Sequence, residues 1–202
     1  MKRIALPALV LAGTFVLGAC TEAPMDPVPA SFSVEAPSEN RSSAAVRGAP
    51  APGSQSIAEI AIDAGFSELV GALVYVDAEL GAGLVDLFLN GRDQYTVFAP
   101  TNDAFEGLYS FLGIDEISDL PPELVLDVLL YHVVEGRRAA NSVVPPVRTR
   151  TITTLLGATF TVDATGTITD LFGQEASILA PNISASNGII HVIDTVILPL
   201  GN

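Results

Sequence analysis

The sequence has 202 residues, 49% of them hydrophobic, and a formal net charge of −14. That length suits one domain of ordinary size plus a tail, and the apolar share excludes wholesale disorder. Nine Lys and Arg against 23 Asp and Glu argue against nucleic-acid backbones and anionic lipid as partners, because both demand a basic surface.

The chain opens on Met1-Lys2-Arg3, followed by an apolar run over residues 4–16 and then Leu17-Gly18-Ala19-Cys20. A positive start, a short apolar run and small residues before a cut predict a signal peptide over 1–19. The run is too short, and too interrupted by Pro7, for a stable spanning helix. Leu17-Gly18-Ala19-Cys20 resembles the bacterial lipobox. That resemblance implies diacylation of the Cys20 thiol, cleavage before it, and attachment to the membrane through lipid alone. Residue Thr21, which is not Asp, favours the outer membrane over the inner in a host with two membranes, by resemblance to the sorting rule of enteric bacteria. Cys20 is the only cysteine, so the chain cannot form an internal disulfide or a cysteine metal cage. Loss of Lys2 and Arg3 with the signal leaves no lysine and a charge of −16.

Residues 20–54 carry Pro24, Pro27, Pro29, Pro37, Pro50 and Pro52 among Ala, Ser and Glu. This composition cannot bury enough surface to order itself, and proline keeps it extended. It reads as a spacer with a reach of up to about 100 Å at roughly 3.1 Å per residue. Asn40-Arg41-Ser42 and Asn182-Ile183-Ser184 match the glycosylation sequon and read as chance matches.

A globular head is expected over 55–202. Ser56-Ile57-Ala58-Glu59 is a capping box, and Ile57, Ile60, Ala61 and Ala64 form one apolar stripe that Gly65 stops. Ser67 is placed to cap a second helix, with Leu69, Val70, Leu73 and Val74 on its face. Gly81 and Gly83 then separate it from a short helix over 84–89. Tyr95-Thr96-Val97-Phe98 is β-branched and aromatic and reads as a buried strand. Pro100 has no N–H for a ladder, and Thr101, Asn102 and Asp103 can cap the helix that follows. Asp103 with Glu106 resembles a capping box. Asn102 and Asp103 are therefore read as caps before they are read as partner contacts.

Leu120-Pro121-Pro122-Glu123 starts another helix, apolar on most sides, which runs into Tyr131-His132-Val133-Val134 where the period shifts toward a strand. Pro145-Pro146 excludes long regular structure over residues 141–146. From Arg148 onward strands are expected over 149–154, 159–162 and 167–171, with short pieces at 177–180 and 183–185. A last strand is expected over 189–198. Helices first and strands after predict an α+β fold.

Three ordered motifs carry a family resemblance. Val97-Phe98-Ala99-Pro100-Thr101-Asn102-Asp103-Ala104-Phe105 resembles the first signature of the fasciclin domain, a secreted adhesion module. Leu130-Tyr131-His132-Val133-Val134 resembles its central Tyr-His segment. Asn187-Gly188-Ile189-Ile190-His191-Val192-Ile193-Asp194 with Val196-Ile197-Leu198-Pro199 resembles its closing signature. The resemblance covers residues 56–200. It implies a compact β-sandwich or wedge with helices along one edge, and an interior His132 that supports the fold.

His132 and His191 are the only histidines. A hydrolase would pair one of them with Ser142, Ser184 or Ser186 and with Asp194, but no Gly-x-Ser-x-Gly elbow is present. Both lie in apolar segments and read as core histidines, each bonded to backbone through a ring nitrogen. No ligand pair has metal-site spacing, no acidic loop has the calcium pattern, and Gly81-Ala82-Gly83 lacks the rest of a phosphate loop. No cofactor is expected. The sequence predicts a non-catalytic, lipid-tethered binding or adhesion module of the bacterial envelope, with a protein or glycan surface as its partner. The alternative is an envelope enzyme or small-molecule-binding protein that uses His132 or His191 on the same scaffold.

Overall fold

A computed structural model describes residues 52–199; the signal-like segment, Cys20 and the linker up to residue 51 lie outside the described residues. The helical half comprises α1 (Ile57–Asp63), α2 (Ser67–Leu80), α3 (Leu84–Asn90), α4 (Asn102–Leu112) and α5 (Pro122–Tyr131), with β1 (Tyr95–Pro100) between α3 and α4. Then come β2 (Val133–Glu135), a short α6 (Ala140–Val143), β3 (Arg150–Thr153), β4 (Thr159–Val162), β5 (Thr167–Thr169), β6 (Glu175–Ala185) and β7 (Gly188–Ile193).

Local chemistry sets most of the helix ends. Ser56 and Glu59 close the expected capping box on α1, and the chain leaves that helix through Gly65 in the left-handed region, at φ 77°. Asp77, on α2, accepts the free N–H groups of Leu84 and Val85 and so caps α3 from outside. Pro122 fills the first turn of α5, where a missing N–H costs nothing.

The strands form one sheet in the order β2-β1-β7-β6-β5-β4-β3, in which only β1 and β7 run parallel. Both of these are buried along their whole length and read as near-continuous apolar runs, as two-sided strands must. Register shifts in β6 between Ile178 and Ile183 bend the sheet so that its two halves face each other. The turn after β3 bonds back onto β2 through Leu155 N–H and the Val133 carbonyl, at 2.8 Å.

Two cores result. The first lies between the helices and the β2-β1-β7 end of the sheet, and includes Val97, Ala99, Ile190 and Val192 from the strands. The second lies inside the folded sheet, where Phe98, Tyr131, Ile193 and Ile197 meet Ile152, Phe160, Val162 and Ile168. Phe98 and Phe160 join the two halves edge to face, 5.1 Å between centroids. Alternation along β1 sends Val97 to one core and Phe98 to the other. This is the α+β wedge expected from the sequence.

Several local expectations are corrected. Ser67 is the first residue of α2, not its cap, and Phe66 before it offers no side-chain acceptor. Thr101 caps α4 by accepting the Ala104 N–H, and the Asp103–Glu106 box does not form. Val74 is exposed because the α2 face turns on Ala72 and Val76 instead. The pieces at 177–180 and 183–185 are one strand, β6, interrupted by the bulge around Asn182. The last strand ends at Ile193, and Val196, Ile197 and Leu198 stay buried without a ladder partner strand.

The β6–β7 turn requires Gly188. A Cβ there would fall 2.1 Å from the Tyr95 carbonyl oxygen, which the β1–β7 pairing fixes, and 2.8 Å from the Ile57 side chain of α1. Gly188→Ala is expected to cost at least about 3 kcal/mol, because backbone cannot move aside as a side-chain tip can. Gly71→Ala meets open space in the middle of α2 and is expected to add about 0.5–1 kcal/mol. Urea midpoints of the two variants, moving in opposite directions, check both.

Candidate functional site

The motif residues sit where irregular backbone meets the cores. Asn187 is buried in the β6–β7 turn. Its Oδ1 accepts the Ile57 N–H at 2.9 Å and its Nδ2 donates to the Phe88 carbonyl at 2.9 Å. One side chain thus satisfies the start of α1 and the end of α3. Gly188 beside it allows the close approach of Tyr95. Tyr131 is fully buried and donates its hydroxyl to the Thr159 carbonyl at 2.9 Å; burial pushes its pKa up to about 12.

His132 follows α5 directly. Its Nε2 accepts the Ile197 N–H at 3.2 Å, so the proton sits on Nδ1, which donates to the Val128 carbonyl at 2.7 Å. Burial drives its pKa down to about 4, opposed only by the Val128 carbonyl, and the ring is neutral at physiological pH. His191 on β7 adopts the other tautomer. Its Nδ1 accepts the Asn182 N–H at 3.2 Å, and its Nε2 donates to the Arg138 carbonyl at 2.9 Å. Burial lowers its pKa as well. Asn182 holds φ 65°, a left-handed backbone that asparagine tolerates, and its side chain accepts the Ala140 N–H that starts α6.

Each histidine therefore uses both ring nitrogens on backbone groups, one more than the sequence reading assigned. Neither ring has a nitrogen left for a serine hydroxyl. Ser184 bonds Arg137, and Asp194 accepts the Ser177 N–H. The sequence reading also passed over Thr96 and Arg137. Thr96 is buried and bridges the Gly136 carbonyl and the Arg138 N–H. Arg137 donates to the carbonyls of Ala185 and Gly188, pinning the β6–β7 turn. Both serve contacts forty or more residues away, and no local pattern announces such contacts.

The first signature divides three ways. Thr101 caps its own helix. Asn102 reaches across to α2, where its Oδ1 accepts the Glu68 N–H at 3.3 Å and its Nδ2 donates to the Gly65 carbonyl at 3.0 Å. Asp103 is exposed on α4 and caps nothing.

Several concavities stand beside this scaffold, and two of them bear on function. One is a cavity of about 150 Å³ among α1, α2, α3 and α5, lined by apolar side chains and the edge of His132. The other is an open cleft of about 480 Å³ between α4, the β5–β6 turn and the residues after β7.

The described residues thus form an α+β wedge in which most signature side chains are committed to its own backbone. The chain belongs to the fasciclin domain family, whose model matches residues 65–199. Protein sll1483 of Synechocystis is 35% identical over 160 residues, 78% of this chain and 81% of that protein. The cell surface glycolipoprotein MPB83 of Mycobacterium bovis is 36% identical over 116 residues. That match covers 57% of this chain, which spans about half of the mycobacterial protein (48%). A solved FAS1 domain pair from the insect cell adhesion molecule fasciclin I shares 17% identity at a TM-score of 0.47, over 64% of this chain and 45% of that one.

Two outcomes follow from this geometry. Asn102→Ala removes a cross-helix cap and is expected to cost about 1 kcal/mol, whereas Asp103→Ala leaves the melting temperature unchanged. For His132 the folded pKa of about 4 lies below the ordinary 6.5, so the unfolded chain binds more protons between those values. Stability is then full above about pH 7 and falls as the pH drops, by about 2 kcal/mol at pH 5. His191 acts in the same direction. Urea unfolding across pH 5–7.5 reads this slope, and a flat profile contradicts the buried neutral ring.

Proposed function

We propose that the protein is a surface-tethered binding and adhesion module of the bacterial envelope, without catalysis. Lipid on Cys20 anchors it, the proline-rich segment 20–54 gives it reach, and the folded domain presents a surface to a protein or glycan. The observation that carries this reading is the use of His132, His191, Asn187 and Thr96 on backbone groups. With the buried polar groups committed to the fold, recognition falls to the exterior. Membership of the fasciclin domain family supports a binding role. The relative described as a cell surface glycolipoprotein supports the location and the lipid anchor. Weak single contacts suffice, because many tethered copies raise avidity through effective concentration.

A second reading, a small-molecule-binding protein on the same scaffold, draws on the cavity beside His132. A space of about 150 Å³ with an apolar lining suits an uncharged apolar molecule about the size of benzene. Such a ligand would raise the melting temperature with the logarithm of its concentration once that exceeds its Kd.

The test of the main reading is retention of the labelled chain on cells and extracellular matrix of the producing organism, against a heat-unfolded control and over a range of salt. Saturable retention of the folded protein is expected. Its absence at every salt concentration rejects adhesion.

A further inference from the structure

Asp103, Gly107 and Phe111 recur every four residues and line one side of α4, opposite the buried Phe105 and Tyr109. They face a cleft completed by Phe172, Gly173 and Gln174 and by Asp194 and Thr195. Phe111 is 64% exposed and Phe172 41%, and the two rings meet edge to face at 6.0 Å. Two large apolar rings at a surface carry a cost that the cores do not require.

Gly107 forms the floor. Glycine inside a helix is less stable than alanine by about 0.5–1 kcal/mol, and here its backbone is ordinary helix. A Cβ at this position would meet nothing within 4 Å. The fold therefore has no use for the missing side chain, and the space above it belongs to the cleft.

Charge indicates what fits there. From residue 56 to 131 the chain carries fourteen Asp and Glu against Arg92 alone, while Arg137, Arg138, Arg148 and Arg150 lie in the sheet half. Asp103 and Asp194 bring carboxylates to the cleft wall. Asp194 uses Oδ1 on the Ser177 N–H and the Thr195 hydroxyl. Among the described residues the Asp103 carboxylate has no hydrogen-bond or ion-pair partner. Exposed aromatic faces beside carboxylates favour a planar cation, which stacks on the ring and shares its N–H groups with the acids.

Resting on the binding reading above, we propose that the α4 cleft docks an extended basic segment of a partner protein. An arginine of that segment lies over Phe111 and Phe172, between Asp103 and Asp194, and its backbone passes over Gly107.

The experiment uses the full chain and a labelled ten-residue peptide of alternating arginine and serine, with fluorescence anisotropy at low and at physiological salt. Saturable binding is expected. Gly107→Leu, which fills the floor, and Phe111→Ser, which removes a ring, are each expected to weaken it about tenfold. Asp127→Asn, on α5 and outside the cleft lining, is expected to leave it unchanged. Melting temperatures confirm folding, and Gly107→Leu is expected to melt no lower than the parent. Equal affinity across all variants means diffuse attraction to an acidic surface and overturns the proposal, as does the absence of peptide binding at low salt. Binding of phosphocholine vesicles that is lost in the same variants overturns the choice of a protein partner. Retention on cells that persists in Gly107→Leu leaves the adhesion reading intact and removes the cleft from it.

Discussion

Backbone N–H and carbonyl groups buried where helices and strands meet irregularly have no water to turn to, and their satisfaction governs this fold. Each one left unpaired would cost about 1–3 kcal/mol, a large share of the net stability of a domain this size. A few side chains answer the demand. Asn187 serves α1 and α3 together, His132 ties the end of α5 to the buried segment after β7, and His191 ties the β6 bulge to the loop after β2. Among the described residues no buried side-chain nitrogen or oxygen lacks a partner. The two histidines use opposite tautomers, each dictated by a backbone N–H that one ring nitrogen must accept. Protonation of either would set two donors face to face, and burial keeps both rings neutral.

Features written over three or four residues were legible in the sequence. The Ser56–Glu59 box, the stop at Gly65, the Pro122 helix start and the strand over Tyr95–Phe98, which pairing with β7 extends to Pro100, all depend on neighbours along the chain. The same holds for the ordered motifs, which suffice to name the family. Features that depend on distant partners were not legible. Asn102 looks like a cap for α4 because the chemistry is right, yet Thr101 already fills that role and leaves Asn102 for α2. Strand β6 reads as two fragments because Pro181 and the left-handed Asn182 break the alternation, while pairing with β7 carries the strand through. The α4 cleft was the least legible, since its walls come from three segments far apart in sequence. Gly107 and Phe111 look like minor irregularities in a helix until Phe172 and Asp194 stand beside them.

The distribution of roles explains how a fold can keep its signature and vary in use. Inward-facing motif residues hold the corners of the wedge and leave its outer surfaces unconstrained by the core. Among the described residues those surfaces are polarised, with the acids concentrated on the helical half and four of the five arginines on the sheet half. Arg137, half-buried, donates to carbonyls of the β6–β7 turn in the sheet half.

The parallel pairing of β1 with β7 also has a temporal side. Strand β1 is made early in the chain, yet its central neighbour begins only at Gly188, and every residue from Tyr95 to Pro100 is matched to that late segment. Loop closure over so long an interval must come before the contacts that reward it, so this domain belongs among the slower folders. Fed amino end first from a ribosome, the polypeptide lacks the central strand of its sheet until residues 188–193 emerge. The tie between these two strands thus delays completion of the sheet until β7 has emerged.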